Sequence, residues 1–295
     1  MQEPLVSVVV PVHLMAGKLQ NLEESLKVSS SLSLPIQFLL IHDYGDQETA
    51  SELQMLSDKY SAEYYEVKFH SPGLTRNHGL RFARAQWVTF WDSDDLGDPS
   101  VVFAAVSNAG RNSNILIGGY KINYIKSRGT TELIKPERDL TKLMVNPGGW
   151  RFVFRKDFIG EVRYPSMLMG EDQVFLAKLM MQGKDIEYFD DCFYTYFKGL
   201  NHQLTMQRDS VYQIQKALIE LKNIINEKDV IEKYLYTLNA RMAFTALKCR
   251  GLSVANFIKY FFGGGELSWQ KRKLWMFSFF TITKSVVSQS RLRKT

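Results

Sequence analysis

Three acidic side chains follow a run of large apolar residues in the first half of the sequence. Asp92, Asp94 and Asp95 come directly after the segment WVTFW at 87–91. In an extended chain Asp92 and Asp94 project to the same side, and two carboxylates that close repel each other unless a cation lies near them. Mg2+ and Mn2+ take oxygen ligands of this kind and keep substrate phosphates in their coordination shell. The spacing therefore predicts a divalent metal site that would offset the charge of a departing diphosphate.

Two further acids, Glu171 and Asp172, are candidates for a general base. They lie at the start of a helix predicted over Asp172–Gln182, and a helix N-terminus favours the ionised carboxylate that can accept a proton.

Both acidic sites have a structural alternative. Acids often cap the first turn of a helix, and Asp92–Asp95 could be a solvated turn or a cap for a helix after Pro99. The position of the turn at the end of a buried strand favours the metal site.

Alternating strands and helices must position these acids. Apolar β-branched runs predict strands, and apolar residues at helical spacing predict helices. The predicted strands are Val6–Val10, Ile36–Ile41, Tyr64–Phe69 and Trp87–Trp91, and the predicted helices are Leu19–Ser31, Thr49–Tyr60 and Leu74–Ala85. Strands and helices that alternate with short connections predict an α/β fold, with a mostly parallel sheet flanked by helices.

Polar residues follow three of the predicted strands. They are Pro11–His13, Asp43–Asp46 and Asp92–Asp95. Ligands of such sheets bind outside the carboxyl ends of the strands. We therefore expect these three segments to line one site.

The later part of the chain changes character. From about Val101 to Asn201 the pattern is mixed, with strand-like runs at Ile115–Ile125 and Asp185–Tyr196. After Arg208 the pattern is helical. We therefore expect one domain over residues 1–208 and a helical, basic C-terminal extension over residues 209–295.

The composition and the cysteine content indicate a globular protein of a reducing compartment. The chain has 295 residues, of which 45% are hydrophobic and 23% charged, as in globular proteins. Its two cysteines, Cys192 and Cys249, have neither disulfide-framework nor metal-ligand spacing, which fits a reducing compartment. The N-terminus shows no signal-peptide pattern, so we expect a cytoplasmic location.

The net charge of +6 is unevenly placed. Residues 252–295 contain eight Lys or Arg and one Glu, a charge of +7, so the rest of the chain carries −1. Nucleic-acid binding depends on neutralising phosphates over a surface. The charge distribution therefore argues against a nucleic-acid partner.

Four segments, in order, resemble the motifs of family-2 glycosyltransferases with the GT-A fold. They are VSVVVPVH at 6–13, FLLIHDYGDQET at 38–49, GLTRNHGL at 73–80 leading to WVTFWDSDD at 87–95, and GED at 170–172. In that family the third segment ends in the metal-binding DxD motif and the fourth holds the catalytic base. The resemblance covers about Leu5–Thr205. It implies a GT-A catalytic domain over residues 1–208 that transfers a sugar from a nucleotide-diphosphate donor with inversion.

The resemblance also implies a role for each matching residue. The nucleotide-binding candidates are Pro11, Val12, His13, Asp43, Arg76, Asp92 and Ser93, and the metal ligands are Asp94, Asp92 and His202. The candidate base is Asp172, with Glu171 as the second candidate. The sugar or acceptor contacts are Trp150, Asp95 and Lys198. Some of these have structural alternatives. Arg76 could serve only to pair a carboxylate, His202 could be solvated in its loop, and Trp150 could pack in the core. His42 stands where the family usually has the first of two acids.

A short apolar segment lies near the C-terminus. Leu274–Thr283 (LWMFSFFTIT) is uncharged and lies between Lys273 and Lys284. A membrane-spanning helix needs ~20 apolar residues, so the segment is too short to cross. Its basic flanks, with Trp269 and Trp275, fit a segment that lies in a membrane interface and is attracted to anionic lipid. A buried terminal helix with a solvated basic end is the alternative.

With the resemblance, these features predict an inverting glycosyltransferase that uses Mn2+ or Mg2+. The expected donor is a UDP-sugar, and the expected acceptor is a saccharide or lipid-linked saccharide in surface polysaccharide biosynthesis, on the inner face of the cell membrane. Two alternatives are a sugar nucleotidyltransferase and a non-catalytic nucleotide-sugar binding module. The first should have a Gly-rich basic loop after its first strand, where this chain has PVHLMAGK. The intact acids Asp92, Asp94 and Asp172 argue against the second.

Overall fold

The computed structural model describes residues 3–125, 130–200, 208–227, 232–248, 253, 273–280 and 282–283. These residues belong to two compact units. The first unit contains the described residues of 1–136, 148–166 and 179–201, and the second those of 137–147, 167–178 and 202–295. The predicted boundary at residue 208 stays a prediction.

The described residues contain nine strands, nine α-helices that are labelled below, and a further helix at residues 273–280. The strands are β1 (Val6–Val12), β2 (Ile36–Asp43), β3 (Glu63–Val67), β4 (Trp87–Phe90), β5 (Leu96–Gly97), β6 (Ile115–Tyr124), β7 (Thr130–Ile134), β8 (Phe152–Arg155) and β9 (Ile186–Lys198). The helices are α1 (Gln20–Ser31), α2 (Gln47–Tyr60), α3 (Pro72–Phe82), α4 (Pro99–Asn108), α5 (Leu140–Leu143), α6 (Lys156–Ile159), α7 (Glu171–Gln182), α8 (Arg208–Glu227) and α9 (Lys233–Lys248), with a 3-10 turn at Gly149–Arg151.

All nine strands form one sheet in the first unit. Its order is β3-β2-β1-β4-β8-β6-β9-β5, and β7 pairs with the second half of β6, beyond the residues that pair with β8. Strands β1 to β4 are parallel, which confirms the α/β arrangement predicted from their alternation with helices. The other half is mixed, because β8 runs antiparallel between β4 and β6 whereas β6 and β9 are parallel. Antiparallel neighbours need no crossover helix, so the alternation pattern carried no sign of β8.

The centre of the sheet is buried on both faces. Strand β1 consists mainly of valines, and all but Pro11 are fully or almost fully shielded from solvent. Helix α3 lies very close to this strand: a Cβ added at Gly79 would approach Val9 Cγ1 to 2.4 Å. Only glycine permits that approach without displacing the helix. This close packing holds α3, which carries Arg76, against β1. The carboxyl end of β1 contributes Pro11 to the predicted site.

The second unit is largely helical. Helix α8 packs against α9, and α5 also packs against α9. Arg241 of α9 donates from Nε to the Val145 carbonyl oxygen at 3.0 Å. Residues 273–280 form a further helix on α9, where Trp275 meets Tyr236 edge-on with ring centroids 5.2 Å apart. In the chain as described, no helix has both the length and the apolar character required to cross a bilayer.

Candidate active site

The first-strand contribution to the site is a histidine at the carboxyl end of β1. Val12 is buried, Pro11 is partly exposed, and His13 is exposed. His13 Nδ1 lies 2.8 Å from the Asp43 carbonyl oxygen and also contacts the Tyr44 carbonyl oxygen. Both partners are acceptors, so Nδ1 carries the proton. This bond fixes the ends of β1 and β2 next to each other, as the adjacent parallel strands predict.

Asp43, at the carboxyl end of β2, is buried and fully engaged within the chain. One carboxylate oxygen accepts from the backbone N–H groups of Phe69 (2.7 Å) and His70 (3.0 Å). The other accepts from the Ser71 N–H (3.0 Å) and the Thr75 hydroxyl (2.7 Å). A carboxylate has about four acceptor positions, so these bonds use all of them. Asp43 therefore orders the loop between β3 and α3, and it has no acceptor position left for a ligand in this conformation.

His42, one residue earlier, is buried next to Tyr64 of β3. Its side chain is 2% exposed, and its Nδ1 lies 3.3 Å from the Tyr64 hydroxyl. Burial lowers the pKa of His42, and nearby acids only partly oppose this effect. The lowered pKa favours the neutral form of this buried side chain.

The acidic turn follows β4 and is anchored by an arginine of α3. Arg76 Nη2 donates to Asp92 Oδ1 at 2.8 Å, and the Arg76 side chain is only 11% exposed against 37% for Asp92. The Arg76 guanidinium also lies 5.6 Å from the centre of the Tyr164 ring. The predicted pairing of Arg76 with a carboxylate is thus present. Asp92 keeps an exposed portion through which it could contact a ligand.

The turn alternates between buried and partly exposed side chains. Asp92 and Asp94 are partly exposed, whereas Ser93 and Asp95 are buried, so the first two acids share a side as the spacing predicts. The backbone of the turn is held from α1, where Asn21 Nδ2 donates to the Asp94 carbonyl oxygen at 2.9 Å. This bond fixes the backbone of the turn at Asp94.

The alternative that the acids cap the next helix does not describe this turn. The N-cap of α4 is Asp98, whose Oδ1 accepts from the backbone N–H groups of Ser100 and Val101, each at 3.1 Å. Because Asp98 supplies the cap, neither Asp92 nor Asp94 is required for it.

Asp95 and Tyr194 form a buried brace under the turn. The Tyr194 hydroxyl donates to Asp95 Oδ2 at 3.0 Å and accepts from the Asp92 backbone N–H at 3.0 Å. Asp95 Oδ1 accepts from the Phe197 N–H at 2.8 Å. Burial raises the pKa of Asp95 well above its usual value, and the nearby Asp94 and Asp92 carboxylates raise it further. The brace ties the turn to the end of β9. Asp95, predicted to contact the sugar or acceptor, is only 3% exposed.

Removing the Tyr194 hydroxyl should weaken this brace. In a Tyr194→Phe variant the partly buried Asp92 N–H and the buried Asp95 carboxylate each lose a partner, so we expect the free energy of unfolding to fall by about 1–3 kcal/mol. Urea denaturation of both proteins measures the difference. Tyr65→Phe is the matched control, because its hydroxyl bonds Glu63, which keeps Arg84 and Gln37 as partners. Equal losses in the two variants would show that the Tyr194 hydroxyl has no special role.

The donor set of the turn suits a hard divalent cation. Two partly exposed carboxylates on one turn match the way Mg2+ is held by one or two protein carboxylates together with substrate phosphates. Within the described ranges, no group of three or more His, Cys, Asp or Glu side chains is placed to hold a metal. The predicted third ligand, His202, lies outside the described residues. Asp92 and Asp94 therefore fit a metal that is completed by the substrate.

The predicted sugar and acceptor contacts lie among aromatic residues of the first unit. Trp150 stacks on Tyr194 with ring centroids 4.6 Å apart and an interplanar angle of 10°. It also stacks on Tyr196 at 5.9 Å. The Trp150 ring thus packs against two tyrosines of β9, which supports its predicted packing alternative. Lys198 Nζ lies 5.4 Å from the centre of the Tyr124 ring.

The candidate bases lie in the second unit, in the first turn of α7. Glu171 is buried, whereas Asp172 is partly exposed and accepts from Gln173 Nε2 at 2.9 Å. Gly170 precedes them with φ +86°, and a Cβ there would lie 2.5 Å from Met242 Cε and 2.7 Å from Ala217 Cβ. Glycine is needed for both the backbone angle and the close approach. It fixes the start of α7 against α8 and α9.

The fold and the acidic turn together define the class of protein. The chain belongs to glycosyl transferase family 2, whose model matches residues 7–160, more than half of the 295-residue chain. The match includes β1 to β4, the acidic turn and Arg76. The predicted fold class is therefore confirmed: the chain has a GT-A fold with additional C-terminal helices.

Relatives and solved structures agree with this family. The chain is 22% identical over 254 residues to the putative glycosyltransferase EpsH of Bacillus subtilis, covering 79% of this chain and 73% of that protein. It is 25% identical over 208 residues to a poly(ribitol-phosphate) beta-glucosyltransferase of Bacillus spizizenii, covering 65% of this chain but only 32% of that longer protein. The crystal structure of S. aureus TarS 1-349 in complex with UDP-GlcNAc superposes with a TM-score of 0.62 at 17% identity, covering 92% of this chain and 79% of TarS 1-349.

Proposed function

We propose that the protein is an inverting, metal-dependent glycosyltransferase that uses a UDP-sugar donor. The observation that carries the proposal is the acidic turn at the carboxyl end of β4. Arg76 and Tyr194 brace this turn so that Asp92 and Asp94 present partly exposed carboxylates. Such a turn suits a diphosphate ligand bridged by Mn2+ or Mg2+.

The donor nucleotide is proposed to bind at the ends of β1 and β2. Pro11, Val12 and His13 would line the base pocket, and the similarity to TarS, whose crystal structure contains UDP-GlcNAc, supports a uracil base. Asp43 acts on this pocket through the loop that it orders, because its acceptor positions are used within the chain. A direct bond from Asp43 to the base would require one of these bonds to be released.

Asp94 and Asp92 are the proposed metal ligands, and Asp92 and Ser93 are proposed to contact the ribose or diphosphate. A divalent cation held there would supply stabilisation of the negative charge that develops on the departing diphosphate. Arg76 holds Asp92 in place through its 2.8 Å ion pair. Lys198 is proposed to lie near the diphosphate or acceptor, where its positive charge would be favourable.

Asp172 is the proposed general base. The acceptor hydroxyl oxygen attacks the anomeric carbon from the face opposite the diphosphate, while Asp172 accepts the hydroxyl proton and the bond between carbon and diphosphate oxygen breaks. The electron pair of that bond leaves with the diphosphate. Because the attack comes from the opposite face, the anomeric configuration inverts. The first turn of α7 favours an ionised Asp172. Its partial exposure, compared with the buried Glu171, supports its selection over Glu171.

The proposed acceptor is a saccharide or a lipid-linked saccharide in surface polysaccharide biosynthesis on the cytoplasmic side of the membrane. Support comes from the relative whose name gives poly(ribitol-phosphate) as its substrate, although this chain spans only 32% of that protein. Trp150 is the proposed contact for the acceptor or donor sugar, through the exposed part of its side chain.

A thermal-shift panel tests the donor and metal proposals together. Ligands that bind only the native state raise the unfolding midpoint, and a ligand at a hundred times its Kd adds about 2.7 kcal/mol. We expect UDP to raise the midpoint only when Mn2+ or Mg2+ is present, and GDP, CDP, TDP and ADP to have smaller effects. A shift with another diphosphate would change the donor. No metal-dependent shift with any of them would leave a non-catalytic binding module as the better explanation.

A further inference from the structure

The helix of residues 273–280 has apolar side chains on two sides, one buried and the other exposed. On the covered side Trp275 packs on Tyr236, and Ser278 lies 3.4 Å from the Thr237 hydroxyl. Leu274, Trp275 and Ser278 are buried. A segment that served only to close a core would turn polar side chains outward on its other side.

The other side exposes large apolar side chains instead. Met276 is 48% exposed, Phe277 47% and Phe280 59%. Spacings of three and four residues place these side chains on one face of the helix. Single exposed apolar residues are ordinary on protein surfaces, but three grouped on one short helix mark a contact surface. We call Met276, Phe277 and Phe280 the apolar face.

Two described lysines accompany the apolar face. Lys233 of α9 places its Nζ 5.5 Å from the centre of the Phe277 ring, and Lys273 at the start of the helix is exposed. In the sequence, Lys271 and Arg272 precede the helix and Lys284 follows it, within a segment of charge +7. A second copy of this chain would bring the same charges against each other, which disfavours a symmetric contact. The complementary partner is therefore negatively charged and apolar at once.

We infer that the apolar face inserts into the surface of an anionic lipid bilayer, with Lys233 and Lys273 at the level of the headgroups. Aromatic and apolar side chains bury at the boundary between headgroups and acyl chains, and Lys and Arg are attracted to anionic lipid. The helix is too short to cross the bilayer, so it would lie along the interface. The inference concerns the second unit and does not depend on the proposed donor, metal or base.

Vesicle flotation tests the inference on the full chain. The probes are vesicles of phosphatidylcholine alone and of phosphatidylcholine mixed with phosphatidylglycerol. We expect binding only to the mixed vesicles, weaker at high salt because the charges are screened. A Met276→Ser, Phe277→Ser, Phe280→Ser variant should bind at least about 10-fold more weakly, because it loses the inserted apolar area but keeps the charges.

The matched control removes three equally exposed apolar side chains from the first unit. Leu32→Ser, Met55→Ser and Leu133→Ser should leave flotation unchanged, and circular dichroism checks that both triple variants are folded. Absence of wild-type binding to the mixed vesicles would overturn the inference, as would equal binding by the triple variant of the apolar face. Sedimentation of the wild type as a dimer and of that variant as a monomer would also overturn it, because the face would then join two copies.

Discussion

The Asp94→Asn variant is expected to lose about 10³-fold in kcat/KM for sugar transfer, since an amide keeps a weak oxygen ligand but loses the negative charge that would hold the cation. That loss corresponds to about 4 kcal/mol of transition-state stabilisation. The metal-dependent thermal shift with UDP should disappear as well. The brace of Asp95 and Tyr194 does not use the Asp94 carboxylate, so the fold should persist.

Asp190→Asn is the matched control for this loss of charge. Asp190 also lies in the first unit, is well exposed, and pairs with Lys135 at 3.1 Å. Exposed ion pairs contribute about 0–1 kcal/mol, so this variant should keep wild-type stability, nucleotide binding and transfer. If Asp94→Asn retains a full metal-dependent UDP shift, Asp94 is not a metal ligand. A retained shift with lost transfer would place its role in the chemical step instead.

The parallel half of the fold could be predicted because local pattern and tertiary structure agree there. The valines of β1 and the apolar run of β2 are buried on both faces, and the helices between the strands keep their apolar spacing. The mixed half could not be predicted in this way. Strand β8 has only four residues, and its place between β4 and β6 is fixed by long-range pairing. Short strands with distant partners leave little trace in a local pattern.

The sequence predicted that the acids of the turn lie together, but it did not predict the structural role of each acid. The alternation that places Asp92 and Asp94 on one side follows from extended geometry. Asp95 has the same side-chain type, yet it is buried and bonded to Tyr194 from a strand about one hundred residues later in the chain. The segment FYTYF at 193–197 shows only two alternating tyrosines. It does not indicate that Tyr194 would bond to Asp95.

Asp43 illustrates the same limit at the nucleotide end of the site. Its position after β2 made it a candidate for a direct ligand contact. Its partners are instead three consecutive backbone N–H groups and Thr75, which belong to the loop and first turn after β3. A carboxylate in a motif can act on a ligand through the loop that it orders, and the sequence alone does not separate that role from direct contact.

Asp172→Asn is expected to lower kcat by about 10³-fold, because an amide cannot accept the proton of the acceptor hydroxyl. The donor should still bind, so the metal-dependent thermal shift with UDP should match the wild type. This combination separates Asp172→Asn from Asp94→Asn, which should lose both transfer and the shift. The pH profile of kcat should also lose the limb that reports protonation of the base, a change that a purely structural role would not produce.

Glu171→Gln is the neighbouring control, in the same turn of α7. Glu171 is buried and Asp172 is partly exposed. We therefore expect Glu171 to stabilise the fold and Asp172 to accept the proton of the acceptor hydroxyl. We therefore expect Glu171→Gln to reduce stability more than Asp172→Asn does, while keeping transfer within about 10-fold of wild type. If Glu171→Gln loses transfer and Asp172→Asn retains it, Glu171 is the base. If both retain transfer, the proton is accepted elsewhere. Only loss in Asp172→Asn with donor binding intact supports Asp172 as the group that accepts the proton.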